Sequence, residues 1–184
     1  MIVVHLGAHR TATTLFQKTL ADNRQRLSER GICFLGPEQI RNGDFKGLMI
    51  HRSQVTLWRS RKAQTAAQKL RSTLDSERRA GRRVILSEEN ILGNIRSNVD
   101  TMSIYPNIQS SLERLQPAFE QVDVFYISIR PLDVWWNSCL SFAIRHFRRP
   151  PSAMQLDCIA YNSAGGWRTV IQAVCDAFPR AKVK

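Results

Sequence analysis

Three short segments of this 184-residue chain carry side chains whose types and spacing suit chemistry on an anion. The first is Gly7-Ala8-His9-Arg10-Thr11-Ala12-Thr13-Thr14, shortly after the apolar run Ile2-Val3-Val4. A glycine, a cation and paired hydroxyls ahead of a helix supply backbone amides, the positive helix end and side-chain donors to one negative charge. The second pairs Arg130 at a strand end with Ser138, eight residues later. An arginine there offers a planar fork of donors suited to a terminal phosphate. Ser138 stands roughly 12 Å further along the helix axis, so both grip one phosphate only if the Arg side chain folds back along the helix. The third, Ser87-Glu88-Glu89-Asn90, puts two carboxylates at a strand end, where either could take a proton. Each has a bland counterpart: an N-capped helix with a solvated Arg10, a strand-end Arg130 with a helix-surface Ser138, and acidic residues placed by a helix dipole.

The elements that position these residues follow from the hydrophobic pattern. Residues 2–6 read as a strand, and 13–30 as a helix with Leu15, Phe16, Leu20 and Leu27 on or near one face, stopped by Gly31. A short strand, Ile-Cys-Phe-Leu, follows. Residues 37–60 hold Pro37, Gly43, Gly47, His51 and Trp58 without periodicity and read as an excursion beside the site, whose basic residues Arg41, Lys46, Arg52 and Arg59 suggest an acidic or polyhydroxylated acceptor. A basic helix over 61–80 ends at Gly81, and Val84 to Leu86 form a buried strand. Then come a helix at about 106–120, a strand over 122–130, a helix over 132–147 broken by Pro150-Pro151, and a helix from about 162 to 178. The closing Ala-Lys-Val-Lys reads as the start of another strand. Strands separated by long helices require parallel crossovers, so the expected class is α/β, a three-layer α/β/α sandwich around a central parallel sheet. Ligands in such sheets sit outside the carboxyl ends of the strands, where all three segments fall.

Composition narrows the partners. Hydrophobic content of 43% and charged content of 23% suit one globular domain, while 27 Lys and Arg against 15 Asp and Glu give +12. That charge favours polyanions: nucleic acid, anionic membrane, or phosphorylated and sulfated small molecules. No run approaches the roughly 18 apolar residues of a bilayer span. The opening residues do not form a signal peptide, so a cytoplasmic protein of bacterial type is the simplest expectation. Cys33, Cys139, Cys158 and Cys175 are scattered and read as reduced packing residues, and no ligand spacing indicates a metal.

The first segment departs from the triphosphate-binding pattern G-x-x-x-x-G-K-[ST], since Ala12 and Thr13 stand where the second Gly and the Lys belong. It resembles instead the 5′-phosphosulfate loop of the sulfotransferases that use 3′-phosphoadenylyl sulfate (PAPS). The run Ile129-Arg130-Pro131 through Ser138 is similar to that family's 3′-phosphate motif, and Ser87-Glu88-Glu89 to a Ser-x-Glu strand end of its bacterial members. The resemblance runs from residue 2 to the end. It implies a P-loop-like sulfotransferase fold, with PAPS as co-substrate and its bisphosphate, PAP, as product. Gly7, His9, Arg10, Thr11, Ala12, Thr13, Thr14, Arg130 and Ser138 would hold the nucleotide; Arg10 would stabilise the leaving phosphate, and Glu89, with Glu88 alongside, would take the acceptor's proton. The acceptor it implies is a hydroxyl compound, a carbohydrate or glycoconjugate.

This chain has Arg10 where the family has Lys, and Leu15 where many members place an aromatic residue. Family domains are also usually longer, so the resemblance implies a chain lacking the segment that closes over the nucleotide. Tyr161, Trp167 and Phe178 resemble a family packing pattern. His5 reads as a hydrogen-bonded core residue, His9 as an anion contact or a solvated loop residue, and His51 as a second base on the acceptor side. Trp135 and Trp136 cannot both face the core of one helix, so one is expected to be partly exposed or near the site. Two rival readings are a nucleotide kinase of similar architecture, disfavoured by the missing Gly-Lys pair, and a nucleic-acid-binding module using the basic helix, which predicts steep salt dependence.

Overall fold

The computed structural model describes residues 1–49, 56–147 and 150–184. Within them, β1 (Ile2–His5), β2 (Ile32–Leu35), β3 (Arg83–Ser87), β4 (Val124–Tyr126) and β5 (Lys182–Val183) form one sheet in the order β2-β3-β1-β4-β5. Every pairing is parallel, with Ile2 opposite Val84 and Val3 opposite Val124. The helices between them are α1 (Thr13–Asp22), α2 (Arg24–Glu29), α3 (Leu57–Arg79), α4 (Ile95–Thr101), α5 (Ile108–Phe119), α6 (Leu132–Phe147), α7 (Ala153–Asn162) and α8 (Gly166–Ala177).

The strand order fixes the layers. The crossover from β1 to β2 runs one way along the sheet and the later ones run the other, so right-handed connections put α1 and α2 opposite α3, α5 and α8. Consistently, α5 packs against both α3 and α8. The chain is therefore α/β with an all-parallel central sheet, as expected, and the arrangement is consistent with a three-layer sandwich. Val4, Val84, Leu86, Phe125, Leu70, Leu112, Phe119 and Val174 are buried in the core. On the α1 side the sheet is covered only in part: Leu15, Phe16 and Tyr126 border a hollow of about 660 Å³.

Several expectations need correction. The helix over 13–30 is divided at Asn23, and Leu15 and Phe16 are exposed while Thr13 and Gln17 are buried. The polar face of α1 turns inward because Gln17 reaches the end of β3, donating to Ser87 Oγ at 3.2 Å and Glu89 Oε2 at 2.8 Å. The strand over 122–130 shortens to Val124–Tyr126. The excursion over 37–60 holds one π-helical turn, Glu38–Asn42, and the start of α3; His51 and Arg52 lie outside the described residues. Helices α4 and α7 were not anticipated, although Asn94 caps the one and a Ser152–Gln155 capping box opens the other.

Both tryptophans of α6 are buried, so neither is partly exposed, and Trp135 is the one that lies near the site. This helix is covered on two sides: the Trp135 indole donates to the His9 carbonyl at 2.8 Å, and the Trp136 indole donates to Ser163 Oγ at 3.0 Å. Tyr161 is exposed on α7 and does not pack with Trp167 and Phe178. Cys158 is exposed rather than packed, whereas Cys139 is buried, which pushes its thiol up to about 12. Among the described residues no helix is long and apolar enough to cross a membrane, and no group of three or more His, Cys, Asp and Glu could hold a metal.

Candidate functional site

The loop after β1 is fixed at several backbone groups. Leu6 N–H donates to the Tyr126 carbonyl and Ala8 N–H to the Ser128 carbonyl, carrying the β1–β4 ladder beyond the strands. Gly7 has no room for a side chain, since a Cβ there would lie 2.0 Å from Thr13 Cγ2 and 2.7 Å from His5 Cε1. His9 N–H donates to the Tyr105 hydroxyl at 2.8 Å, and Thr11 Oγ1 donates to the Ala8 carbonyl at 2.6 Å. Arg10 and Ala12 are left-handed, at φ 67° and 62°. Such a conformation costs a non-glycine residue about 1–3 kcal/mol and persists only where its surroundings impose it. Ala12 precedes α1 without a side-chain cap, and the first turn carries no acidic residue. The amides at this helix end therefore face the loop with no carboxylate competing for them.

The two basic segments meet here. Arg10 Nε donates to Ser138 Oγ at 3.0 Å, and its guanidinium lies 5.5 Å from the centre of the Phe142 ring. Arg130 Nη1 donates to the Arg10 carbonyl at 2.9 Å, while its own carbonyl accepts the Trp167 indole at 2.7 Å. The gap along α6 between Arg130 and Ser138 is thus bridged by Arg10, so the three converge without Arg130 having to fold back along its own helix. Arg10, Ala12 and Thr14 are exposed, Thr11, Arg130 and Ser138 half-buried, and Gly7, His9 and Thr13 buried.

The carboxylates separate into two environments. Glu88 is wholly buried, and its Oε1 accepts from Arg41 Nη2 at 2.7 Å and from the Asn90 amide at 3.0 Å; its Oε2 accepts from Arg41 Nε at 2.9 Å. This bidentate clamp fixes the strand end. Glu89 shares the same guanidinium, its Oε1 accepting from Arg41 Nη2 at 2.7 Å, with Gln17 on Oε2. Burial opposes its charge, yet the hydrogen bonds from Gln17 and Arg41 outweigh burial and hold its carboxyl below the usual carboxylate range.

His5 joins the two halves from beneath. Its Nδ1 is 2.8 Å from Ser87 Oγ and its Nε2 2.8 Å from Ser128 Oγ. Burial lowers its affinity for a proton, partly offset by Glu89. It is the hydrogen-bonded core histidine the sequence suggested. His9 is also buried rather than solvated, its Nε2 lying 3.3 Å from Asn90 Oδ1. Above these groups a cleft of about 1100 Å³ is bordered by His9, Arg41, Glu89, Arg96, Phe142 and Phe147. Phe142 is a wall common to this cleft and to Arg10.

Sequence reasoning missed Arg41, Gln17 and Tyr105. Arg41 registered only as one of several basic residues in the excursion. Gln17 and Tyr105 gave no signal, because their roles depend on long-range packing. The arrangement defines a parallel α/β protein with a cationic, hydroxyl-bearing cluster at the strand ends and an ionised carboxylate beside an open cleft. No family model matches the chain, and none of the curated proteins matches it.

Proposed function

We propose that this chain is a PAPS-dependent sulfotransferase with a P-loop-like fold, transferring a sulfuryl group to a hydroxyl of a carbohydrate or related glycoconjugate. The observation that carries the reading is the convergence of Arg130 and Ser138, from one end of the chain's second half, on Arg10 in the opening loop. Two cations, a hydroxyl and an uncapped helix end suit a nucleotide bearing both a 5′-phosphosulfate and a 3′-phosphate.

In this reading the 1100 Å³ cleft receives the acceptor. Its hydroxyl oxygen forms a bond to sulfur as the bond from sulfur to the 5′-phosphate oxygen breaks, the electron pair leaving on that oxygen. Arg10 and the amides opening α1 stabilise the charge that develops there. Glu89 accepts the acceptor proton. Held below its usual range, it is a weak base, so its contribution is to orient the hydroxyl first and take the proton late in the transfer. Glu88, with its oxygens engaged by Arg41 and Asn90, positions its neighbour. Gln17 does so from the other side.

The test is binding of adenosine 3′,5′-bisphosphate against AMP by isothermal titration, in wild type and Arg130→Ala. A charged hydrogen bond contributes about 1.5–3 kcal/mol. The bisphosphate should therefore bind about tenfold to a hundredfold more tightly than AMP, and the variant should lose that margin. Equal affinity for the two nucleotides in wild type would rule the reading out.

A further inference from the structure

The first two turns of α3 are built against the usual grain of a surface helix. The core face is made by Ala63, Ala66, Ala67, Leu70 and Leu74. At 100° per residue, Trp58 and Arg61 fall opposite that face and Leu57 and Lys62 on its two flanks, while Arg59 falls on the core side. Leu57 is 86% exposed and Trp58 68% exposed, so the helix offers two adjacent large apolar side chains to solvent. Cations surround them: Arg59, Arg61 and Lys62 follow, Lys46 is exposed on the preceding segment, and Lys62 Nζ lies 5.4 Å from the Trp58 ring centre. The sequence from 45 to 74 contains no Asp or Glu.

These cations also stand at the wrong end of the helix. The N-terminus carries the positive end of the macrodipole, and the first turn has no acidic residue to offset it. Like charges accumulated at a positive helix end are relieved by an external anionic surface. We propose that the N-terminal end of α3 docks on an anionic phospholipid bilayer, with Leu57 and Trp58 entering the headgroup region and Arg61 and Lys62 facing the lipid phosphates. Adjoining apolar and basic side chains are the composition of an interfacial helix end. A nucleic acid would use the cations but give Leu57 nothing to enter. The inference stands apart from the sulfotransferase reading. Since α3 returns from the carboxyl end of β2 to the start of β3, its first turn stands at the same end of the sheet as the cleft.

The experiment is co-sedimentation of the full chain with phosphatidylcholine vesicles, with and without phosphatidylglycerol, at low and high salt. Wild type should bind the anionic vesicles only, and less at high salt. Arg61→Gln and Lys62→Gln should each reduce partition about fivefold, and Leu57→Ala with Trp58→Ala should abolish binding. Trp58→Phe should retain binding but lose the blue shift of tryptophan emission, since the other three tryptophans are buried or half-buried. All positions are exposed, so circular dichroism should be unchanged. No binding to anionic vesicles, binding that survives Leu57→Ala with Trp58→Ala, or binding to duplex DNA in place of vesicles would each overturn the proposal.

Discussion

Replacing Gly7 by alanine is the sharpest available probe of the loop. The added methyl would lie 2.0 Å from Thr13 Cγ2 and 2.7 Å from His5 Cε1, both far inside van der Waals contact. Neither neighbour yields easily: Thr13 is buried in the first turn of α1, and His5 is held by Ser87 and Ser128. Overpacking a fixed site costs about 1–3 kcal/mol. For a domain of this size each kcal/mol lowers the melting temperature by about 2–4 °C, so a fall of roughly 2–12 °C is expected. Thr13→Ser removes Cγ2, the nearer obstacle, and leaves His5. The double variant should therefore recover part of the loss, and the two substitutions should be non-additive by about 0.5 kcal/mol or more. Thermal and urea unfolding of the two single variants and the double measure this directly. A Gly7→Ala protein as stable as wild type, or a double variant no more stable than Gly7→Ala alone, would refute the packing argument.

Other consequences are simpler to read. Tyr105→Phe leaves the buried His9 N–H without its hydroxyl partner and should cost about 1–3 kcal/mol in urea unfolding. Glu89→Gln should leave binding of adenosine 3′,5′-bisphosphate within a few-fold of wild type while lowering sulfuryl transfer by a factor of about 10²–10⁴, as measured with labelled PAPS. Burial holds the His5 imidazole below its ordinary value of 6.5, so the unfolded chain binds more protons there than the folded one. Its contribution to stability is complete above pH 6.5 and is lost as pH falls through the lowered value. Denaturation midpoints between about pH 7 and pH 5 should fall less steeply in His5→Gln than in wild type.

The parts of the fold legible in the sequence were those set by local pattern. β1, β3 and α6 are continuous apolar or amphipathic runs bounded by Gly, Pro or polar residues, and their positions followed directly. The convergence of the opening loop with Arg130 and Ser138 was readable as two strand-end motifs, though not the way Arg10 joins them. What was hidden depended on the opposite side of a contact. The orientation of α1 is decided by Gln17 reaching Ser87 and Glu89, which outweighs the apparent apolar face of Leu15 and Phe16. Arg41 read as an acceptor-side cation because the carboxylates that engage it lie nearly fifty residues away. Trp136 looked surplus to the core because the corner at Ser163 that covers it is invisible until α7 and α8 are placed.

The bonds that hold the opening loop have a consequence for the order of folding. His9 is near the start of the chain, yet its N–H waits for Tyr105 and its carbonyl for Trp135, separations of 96 and 126 residues. Arg10 waits for Arg130 and Ser138. On the ribosome the loop is among the first segments to emerge and among the last to acquire its partners. Closing such distant contacts is slow compared with forming the neighbouring helices. Native geometry at Arg10 and Ala12 therefore arrives with α6, and a nascent chain halted before residue 135 carries β1 and α1 but not the cationic cluster.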